Sequence, residues 1–285
     1  MHESHAVTIL ARRFPAKRAF ITGAGSGLGR AFTAELAAAG WRLGLLDLSA
    51  GRLAAVEAEL GGADDRISCY AGDVANESFV AGSITDFASW AGGLDLMINN
   101  AGVAAAGPIE STPAADWRWI VDINLLGVVW GCQAAAVCMR QARSGLILNI
   151  ASSAGFASAP QMSAYNATKA AVISLSETLA AELSGTGVQV SVAMPGFFRT
   201  ALLETLRAPP EASGLARRLM QGSRYDADAA ARAILAAAAE RTLYVVWPRE
   251  YRWAWRLKRL FPLWFLRRLE TLRDAQLARS SPPPR

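Results

Sequence analysis

A glycine-rich turn constrains this chain more than any other feature. The segment 22–29, Thr-Gly-Ala-Gly-Ser-Gly-Leu-Gly, follows an apolar run at 19–21 and precedes residues 30–39, whose apolar side chains are spaced like one face of a helix. Backbone N–H groups at a helix start carry partial positive charge and bind phosphate, and glycine lets a ligand approach them closely. The segment therefore predicts a dinucleotide site, with an ordinary glycine loop as the alternative.

An acidic residue stands where such a site needs one. A second strand predicted over 42–46 ends in Asp47, 18 residues beyond Gly29. A carboxylate at about this distance hydrogen-bonds both adenosine ribose hydroxyls and repels a 2′-phosphate, which favours NAD over NADP. The alternative is that Asp47 caps a helix predicted over 49–60.

The rest of the chain alternates strands with helices, which predicts a parallel sheet covered on both faces. The expected fold class is therefore α/β: a single doubly wound parallel-sheet Rossmann domain of about seven strands, with a helical C-terminal extension. Beyond the first two, strands are predicted over 67–71, 94–98, 146–150, 188–193 and 243–246, and helices over 77–90, 114–141, 165–183 and 227–239.

Composition divides the chain into three expected segments. These are an N-terminal leader at 1–16, partly disordered, a catalytic domain at 17–248 and a basic, tryptophan-rich extension at 249–285. The net charge of +5 is concentrated near the end, since residues 241–285 hold 11 Lys and Arg against 3 Asp and Glu. Because the remainder is slightly acidic, we expect no nucleic-acid partner.

Several kinds of site are excluded by residue types. His2 and His5 are the only histidines, so the body of the chain has neither a Ser-His-Asp triad nor a histidine-based zinc site, and no metal is expected. Cys69, Cys132 and Cys138 lack metal or redox spacing and are interpreted as small buried hydrophobic residues in a reducing cytosol. No continuous apolar signal segment occupies the first twenty residues, so a cytoplasmic location is expected.

Three motifs together resemble those of the short-chain dehydrogenases/reductases. They are the T-G-x-x-x-G-x-G spacing at 22–29, the Asn-Asn-Ala-Gly tetrad at 99–102, and a Tyr-x-x-x-Lys pair, Tyr165 and Lys169. The resemblance runs from about residue 17 to residue 246. It implies an NAD(P)-dependent oxidoreductase that works as a homodimer or homotetramer.

Tyr165 and Lys169 are the expected proton-transfer pair. Four residues apart on a helix, they share one face. A phenol titrates near pH ~10, and we expect the Lys169 ammonium to lower that pKa, so that Tyr165 can exchange a proton with an alcohol or carbonyl oxygen. The resemblance adds Ser152, 13 residues before Tyr165, as the hydrogen-bond partner of the substrate oxygen, with Ser153 as its rival.

The helix predicted over 114–141 has little polar surface. It is therefore expected both in the core and at a subunit interface. Its longest apolar stretch, 125–139, is too short for a bilayer, which takes about 20 residues. Within the helix, Asn124 matches the family asparagine that kinks the helix and holds a water connecting Lys169 to solvent; the alternative is a polar residue that faces solvent.

The resemblance also assigns the cofactor contacts. The Asp73-Val74 pair is expected at the adenine ring, with a capping role as the alternative for Asp73, and Thr200 at the nicotinamide carboxamide. Neither Ser26 nor Leu48 is basic, although NADP-preferring members often place a basic residue at these positions. The full expected set is Gly23, Ser26, Gly27, Leu28, Gly29, Asp47, Asp73, Val74, Asn100, Ala101, Gly102, Tyr165, Lys169, Pro195, Gly196 and Thr200.

The candidate substrate pocket is uncharged, which favours a hydrophobic alcohol or ketone. The leading hypothesis is an NAD-dependent alcohol dehydrogenase/ketone reductase. The alternatives are a 3-oxoacyl thioester reductase and a non-catalytic nucleotide-binding or membrane-associated scaffold. The pocket candidates are Val103, Ala104, Ala105, Ala106, Phe156, Ala157, Pro160, Met162, Phe197 and Phe198.

The extension combines apolar and basic residues at helical spacing. Arginines follow the rows opposite the apolar positions, and Pro262 is expected to kink or divide the helix. Helices of this kind lie on anionic membrane surfaces, so peripheral contact with the inner membrane face is one expectation. A helix packed over the substrate pocket or a partner subunit is the other. Residues 280–285 are expected to be disordered. The apolar positions are Trp253, Leu257, Leu260, Phe261 and Trp264.

Overall fold

A computed structural model describes residues 5–62, 65–209 and 222–280. Seven strands form one parallel sheet in the order β3-β2-β1-β4-β5-β6-β7, which confirms the predicted fold class. Each predicted strand is present, with its ends shifted by at most two residues. The strands are β1 Arg18–Thr22, β2 Arg42–Asp47, β3 Ile67–Ala71, β4 Leu96–Asn99, β5 Gly145–Ile150, β6 Val188–Pro195 and β7 Tyr244–Trp247.

Helices cover both faces of the sheet. One face carries α1 His5–Arg13, α2 Gly27–Ala38, α3 Ala50–Glu59 and α9 Ala227–Ala239, and the other carries α4 Glu77–Ala91, α5 Ala114–Val121, α6 Gly127–Ala142, α7 Ala154–Ala157 and α8 Ser163–Glu182. The extension forms α10 Arg249–Leu260 and α11 Pro262–Ser280.

Alternate side chains of β1 divide between the two layers because a strand has a period of two. Ala19 and Ile21 lie in the core beneath α2 and α9, whereas Phe20 lies beneath α4, with its ring 5.6 Å from that of Phe87. Strands buried on both faces must run through the middle of the domain. Because all seven strands are parallel, their carboxyl ends lie at the same edge of the sheet, where ligands bind in folds of this class.

The leader, which we expected to be partly disordered, is ordered from residue 5 onward. Residues 5–13 form α1, which packs against α9, and Val7, Leu10 and Phe14 are buried in the core. Apolar residues three and four apart give this short segment a buried face. Residues 1–4 and 281–285 lie outside the described residues, as does the stretch 210–221.

The predicted long helix is continuous but changes its winding. α5 and α6 are joined by a π-helical segment, Asp122–Leu126, that contains Asn124. Ala114–Ala142 is also the one helix among the described residues that is long and apolar enough to cross a membrane. Here it packs against α4, β4 and β5, while Val137 on the far face is 61 % exposed.

The three cysteines are free and differ in burial. Cys132 is buried, as expected, and its burial raises the thiol pKa to about 12. Cys69 is exposed, so its interpretation as a buried residue is wrong. It lies on β3, the edge strand of the sheet, where alternate side chains face outward.

Pro262 divides the extension, as predicted: α10 ends at Leu260 and α11 begins at Pro262. The inner face of α10 is anchored on the domain, because Tyr251, Ala254 and Trp255 pack against the core. The Trp255 ring lies 5.1 Å from that of Tyr244 on β7. The extension therefore lies against the sheet's edge strand rather than projecting from it.

Candidate active site

One cleft of about 970 Å³ runs along the carboxyl ends of the strands. Every residue expected to contact a cofactor lines it except Gly29. A Cβ on Gly29 would collide with the backbone of Gly23, so this glycine lets α2 pack closely on the turn instead.

The glycine turn is shaped by close approaches. Gly23 has φ +65°, and a Cβ there would lie 2.8 Å from the backbone Cα of Ala101. Gly27 has φ +49°, and its Cβ would lie 2.6 Å from Oγ1 of Thr200. Ser26 is the N-cap of α2, and its side chain makes no capping hydrogen bond. The first amides of α2 therefore open onto the cleft without side chains in the way.

The Asn-Asn-Ala-Gly tetrad ties β4 to this turn. The Asn100 backbone amide donates to Oγ1 of Thr22 at 3.0 Å, and its side-chain amide donates to the carbonyls of Thr22 and Gly23 at 3.0 and 3.2 Å. Asn99 instead points into the core and donates to Oδ1 of Asn149 at 2.8 Å. Asn100 thus braces the glycine turn, whereas Asn99 links β4 to the neighbouring strand β5.

Asp47 is buried at the end of β2 and does not cap α3. Its Oδ2 accepts from the amide of Gly25 at 2.9 Å and its Oδ1 accepts from that of Ser49 at 3.0 Å. Ser49 itself is the cap, because its hydroxyl accepts from the amide of Arg52. The cap alternative for Asp47 is therefore wrong.

Arg52, beside Asp47, lines the same end of the cleft and was not anticipated. Its guanidinium donates to Glu204 at 3.0 Å, which links the first turn of α3 to the segment after Thr200. The only signal available was its position, five residues beyond Asp47 in the first turn of a predicted helix.

At the end of the cleft that follows β3, Asp73 does not cap α4 either. The cap is Asn76, whose side chain accepts from the amide of Phe79, whereas Asp73 accepts from the amide of Ala75 at 2.9 Å. Val74 packs against Gly127, where a Cβ would lie 3.1 Å from its Cγ2. Both Asp73 and Val74 line the cleft.

Ser152, Tyr165 and Lys169 converge further along the cleft. Burial raises the pKa of Tyr165, and a hydrogen bond with the Ser152 hydroxyl opposes that shift. Burial is the dominant effect on this pKa here, and the lowering by Lys169 stays a prediction. The Ser153 side chain lines the cleft too, without a capping hydrogen bond.

Lys169 is itself buried, which lowers its pKa to about 8. Its Nζ donates to the carbonyl of Ile150 at 2.9 Å and lies 5.9 Å from the centre of the Tyr165 ring. A buried amine with few partners loses its proton more readily because the charged form is poorly solvated.

Asn124 is fully buried, which rules out the solvent-facing alternative. Its side chain exchanges two hydrogen bonds with the backbone of Val103, at 2.8 and 2.9 Å. A Cβ on Gly102 would lie 3.3 Å from Oδ1 of Asn124 and 3.4 Å from Nζ of Lys169. Asn124 and Lys169 therefore flank the same glycine, although Asn124 does not line the cleft.

The rest of the cleft is lined mostly by apolar residues. Residues of α10 and α11 cover it, which is one of the two arrangements expected for the extension. We call the cleft-lining residues of α10 and α11 the roof. All the predicted pocket residues line the cleft except Ala105, which faces away. The roof consists of Tyr251, Ala254, Phe265 and Leu269.

Tyr251 connects the roof to the cofactor side. Its ring packs against Gly196, where a Cβ would collide with it, and its hydroxyl lies 3.5 Å from the amide of Phe197. The Pro195-Gly196 segment is thus covered by the extension.

A dinucleotide fits these residues. The cradle at Gly23 and Gly27 is one that a Cβ would fill, α2 begins beside it, and the buried Asp47 carboxylate lines the same cleft. The same cleft continues to a tyrosine and a lysine beyond the turn. The cleft can therefore bind a nucleotide at one end and carry out proton transfer at the other.

Comparison with known proteins agrees with this geometry. Residues 17–211 match the family described as short chain dehydrogenase. The chain belongs to that family, the short-chain dehydrogenases/reductases. As a member, it is an oxidoreductase of a family that binds nicotinamide cofactors.

Individual relatives of this short-chain dehydrogenase cover most of it. D-threitol dehydrogenase from Mycolicibacterium smegmatis is 37% identical over 67% of this chain and 73% of its own. Levodione reductase from Leifsonia aquatica is 35% identical over the same shares. A short-chain dehydrogenase/reductase from Burkholderia phymatum, solved in complex with NAD, is 30% identical with a TM-score of 0.80, over 94% of this chain and 97% of its own.

Proposed function

We propose that this protein is an NAD-dependent oxidoreductase that transfers hydride between the nicotinamide ring and a hydrophobic alcohol or ketone. The observation that carries the proposal is the convergence of Ser152, Tyr165 and Lys169 in the cleft that the glycine turn also lines. The catalytic set would be Asn124, Ser152, Tyr165 and Lys169.

When bound, the nicotinamide would supply or accept the hydride. Tyr165 would exchange a proton with the substrate oxygen, and Ser152 would hold that oxygen by a hydrogen bond. Lys169, anchored on the carbonyl of Ile150, would stabilise the phenolate when its amine is charged. Asn124 would position the Val103 segment beside Lys169 through its two backbone hydrogen bonds.

The preference for NAD over NADP rests on Asp47. A buried carboxylate that already accepts from the Gly25 amide would repel a 2′-phosphate. Arg52, which lines the cleft beside it, is paired with Glu204. The ratio of kcat/KM with NAD to that with NADP tests this step, and a ratio below one contradicts it.

The apolar lining supports a hydrophobic substrate. Phe156, Met162 and Phe198 lie on one side, and the roof residues Phe265 and Leu269 close the other. An apolar pocket gains free energy when it removes apolar surface from water. The relatives are named for different substrates, D-threitol and levodione, and so leave the substrate of this chain open.

For assembly and location, we propose a homodimer or homotetramer in the cytoplasm, with peripheral contact to the inner membrane face through the extension. The far face of α6, with Val137 exposed, would be the subunit interface. Light scattering of the purified chain tests the oligomer number, and a monomer contradicts it.

The reaction is tested by screening NAD reduction with steroid, aliphatic, aromatic and acyl alcohols, in the native chain and in Tyr165→Phe. We expect the variant to lose about a thousandfold or more in kcat, within the range of general acid–base catalysis, while it still binds NADH. Turnover that survives the substitution contradicts the role of Tyr165.

The two alternatives give different results. A 3-oxoacyl thioester reductase would act on acyl thioesters and would prefer NADPH. Asp47 disfavours NADPH because its carboxylate would repel the 2′-phosphate. A non-catalytic scaffold would bind NADH without turning over any alcohol in the screen.

A further inference from the structure

Exposed apolar side chains are concentrated at the turn between α10 and α11. Among the residues whose side chains are described, ten large apolar side chains are exposed, and five of them lie between positions 253 and 264. We call these five the apolar elbow. They are Trp253 (73 % exposed), Leu260 (72 %), Phe261 (58 %), Leu263 (71 %) and Trp264 (55 %). Exposed apolar side chains concentrated in one segment in this way mark an interaction surface.

The described part of the domain leaves the apolar elbow uncovered. The opposite face of α10 already packs on the core through Tyr251, Ala254 and Trp255. On α11, Phe265 and Leu269 face the cleft. With their inner faces in use, the two helices leave the elbow on the outside of the molecule.

The segment that carries the apolar elbow is rich in cations. Residues 249–271 hold seven Lys and Arg against two Glu. The Arg256 guanidinium lies 5.7 Å from the Trp253 ring, and Arg267 and Arg268 are exposed just beyond Trp264. One of the two acids, Glu250, is already paired with Arg224. The segment therefore combines exposed apolar side chains with a net positive charge.

We propose that the apolar elbow docks on a bilayer that contains anionic lipid. Tryptophan and phenylalanine rings would lie at the headgroup level, with arginines on the lipid phosphates. A second copy of the chain fits less well, because elbow-to-elbow packing would bring two sets of like charges together. Charge complementarity thus selects the anionic surface.

Docking bears on the proposed function because α11 carries both surfaces. Trp264 belongs to the apolar elbow, and its neighbour Phe265 lines the cleft. Docking would therefore place α11 between the lipid, which meets Trp264, and the cleft, which Phe265 lines. This consequence for an apolar substrate rests on the proposed reaction, whereas docking assigns the membrane contact proposed above to a defined surface and does not depend on the reaction.

The test is co-sedimentation of the full chain with phosphatidylcholine vesicles that contain or lack phosphatidylserine. We expect binding that needs phosphatidylserine and weakens with salt. The variant Leu263→Ser/Trp264→Ser should bind at least about tenfold more weakly, because it removes two large apolar side chains from the docked face.

A matched control replaces one exposed aliphatic residue and one exposed tryptophan elsewhere, Ile109→Ser/Trp90→Ser, and should bind like the native chain. Equal binding by the elbow variant, or equal binding with and without phosphatidylserine, overturns the proposal. So does a change of oligomer number in the elbow variant with no vesicle binding in the native chain, since that assigns the surface to a second copy.

A second measurement uses phosphatidylserine with brominated acyl chains, which quenches tryptophans that enter the bilayer. We expect quenching in the native chain and less in Trp264→Phe, which keeps the surface apolar; no quenching overturns insertion. Tyr165→Phe should bind vesicles normally, so loss of the reaction and loss of docking can be told apart.

Discussion

The nucleotide end of the cleft and its roof are built in different ways. At the nucleotide end, backbone segments approach one another so closely that a single Cβ at Gly23 would lie 2.8 Å from a neighbouring Cα. The roof consists of side chains on two helices, and α10 has no fully buried residue. Close-packed backbone cannot shift to accept new atoms, whereas half-exposed side chains can. The comparison teaches that cofactor binding is inflexible here and substrate selection adaptable.

The substitution Gly23→Ala tests the inflexible end and has the largest expected effect. Alanine at φ +65°, with its Cβ against Ala101, must displace the turn or the segment after β4. We expect NADH affinity to fall roughly a hundredfold or more, since strain of this kind costs about 1–3 kcal/mol before the clash is counted. NADH fluorescence titration measures it.

The control is Gly82→Ala, an exposed site on α4 where a Cβ meets nothing within 4 Å. This variant should bind NADH normally and gain about 1 kcal/mol in stability from helix propensity. Similar affinity losses in both variants would show that the turn is no more sensitive than the surface.

The same contrast explains what could be predicted from the sequence. Glycines, Asp47 and Asn100 act through backbone geometry and hydrogen bonds at fixed spacings, so their placement at the cleft follows from a motif. The sequence did not show that Ser49 and Asn76, rather than Asp47 and Asp73, are the N-caps of α3 and α4. Asp, Asn and Ser are about equally good N-caps, so the residue types alone do not decide between them.

Asn124→Ala tests a buried polar contact between the two regions. The substitution leaves the amide and carbonyl of Val103 without their partner in a buried site. We expect the free energy of unfolding to fall by about 3 kcal/mol, since each unsatisfied buried group costs roughly 1–3 kcal/mol. Urea unfolding measures this, and a loss below about 1 kcal/mol would mean that the π-helical segment does not depend on Asn124.

Lys169→Met tests the cost of the buried amine. Its pKa is lowered to about 8 in the fold, against about 10.4 when unfolded, so a charged Lys169 destabilises the protein by about 3 kcal/mol below pH 8. That penalty fades as pH rises from 8 to about 10.4, because the folded state loses its proton first. Methionine removes this penalty and also removes the hydrogen bond to Ile150, which contributes about 1 kcal/mol. Lys169→Met should therefore raise the free energy of unfolding by about 2 kcal/mol at pH 7.

Urea unfolding of both chains at pH 7 and near pH 10 checks the sign. The stability advantage of Lys169→Met should shrink at the higher pH, while turnover is lost at both. An advantage that grows with pH would contradict burial as the cause of the lowered pKa.

The roof shows where sequence reasoning stopped. Spacing and charge predicted the helices and their division at Pro262, but left three partners open for the apolar face. Periodicity states which residues share a face and not which surface that face meets. In the structure, four of the five predicted apolar positions are exposed, and the cleft is met instead by Phe265 and Leu269, which that spacing did not include.

Leu269→Ala tests whether the roof selects substrate without touching the cofactor, and it has the smallest expected effect. Loss of a half-buried leucine contact weakens binding by about 1 kcal/mol, so KM for an apolar alcohol should rise about fivefold. NADH affinity should stay unchanged, because Leu269 lies on α11, away from the glycine turn. The matched control, Leu263→Ala on the exposed face of the same helix, should leave KM unchanged in the absence of lipid. If Leu269→Ala instead weakens NADH binding as much as it raises KM, the roof supports the cofactor as well, and the two ends of the cleft are less separate than their construction indicates.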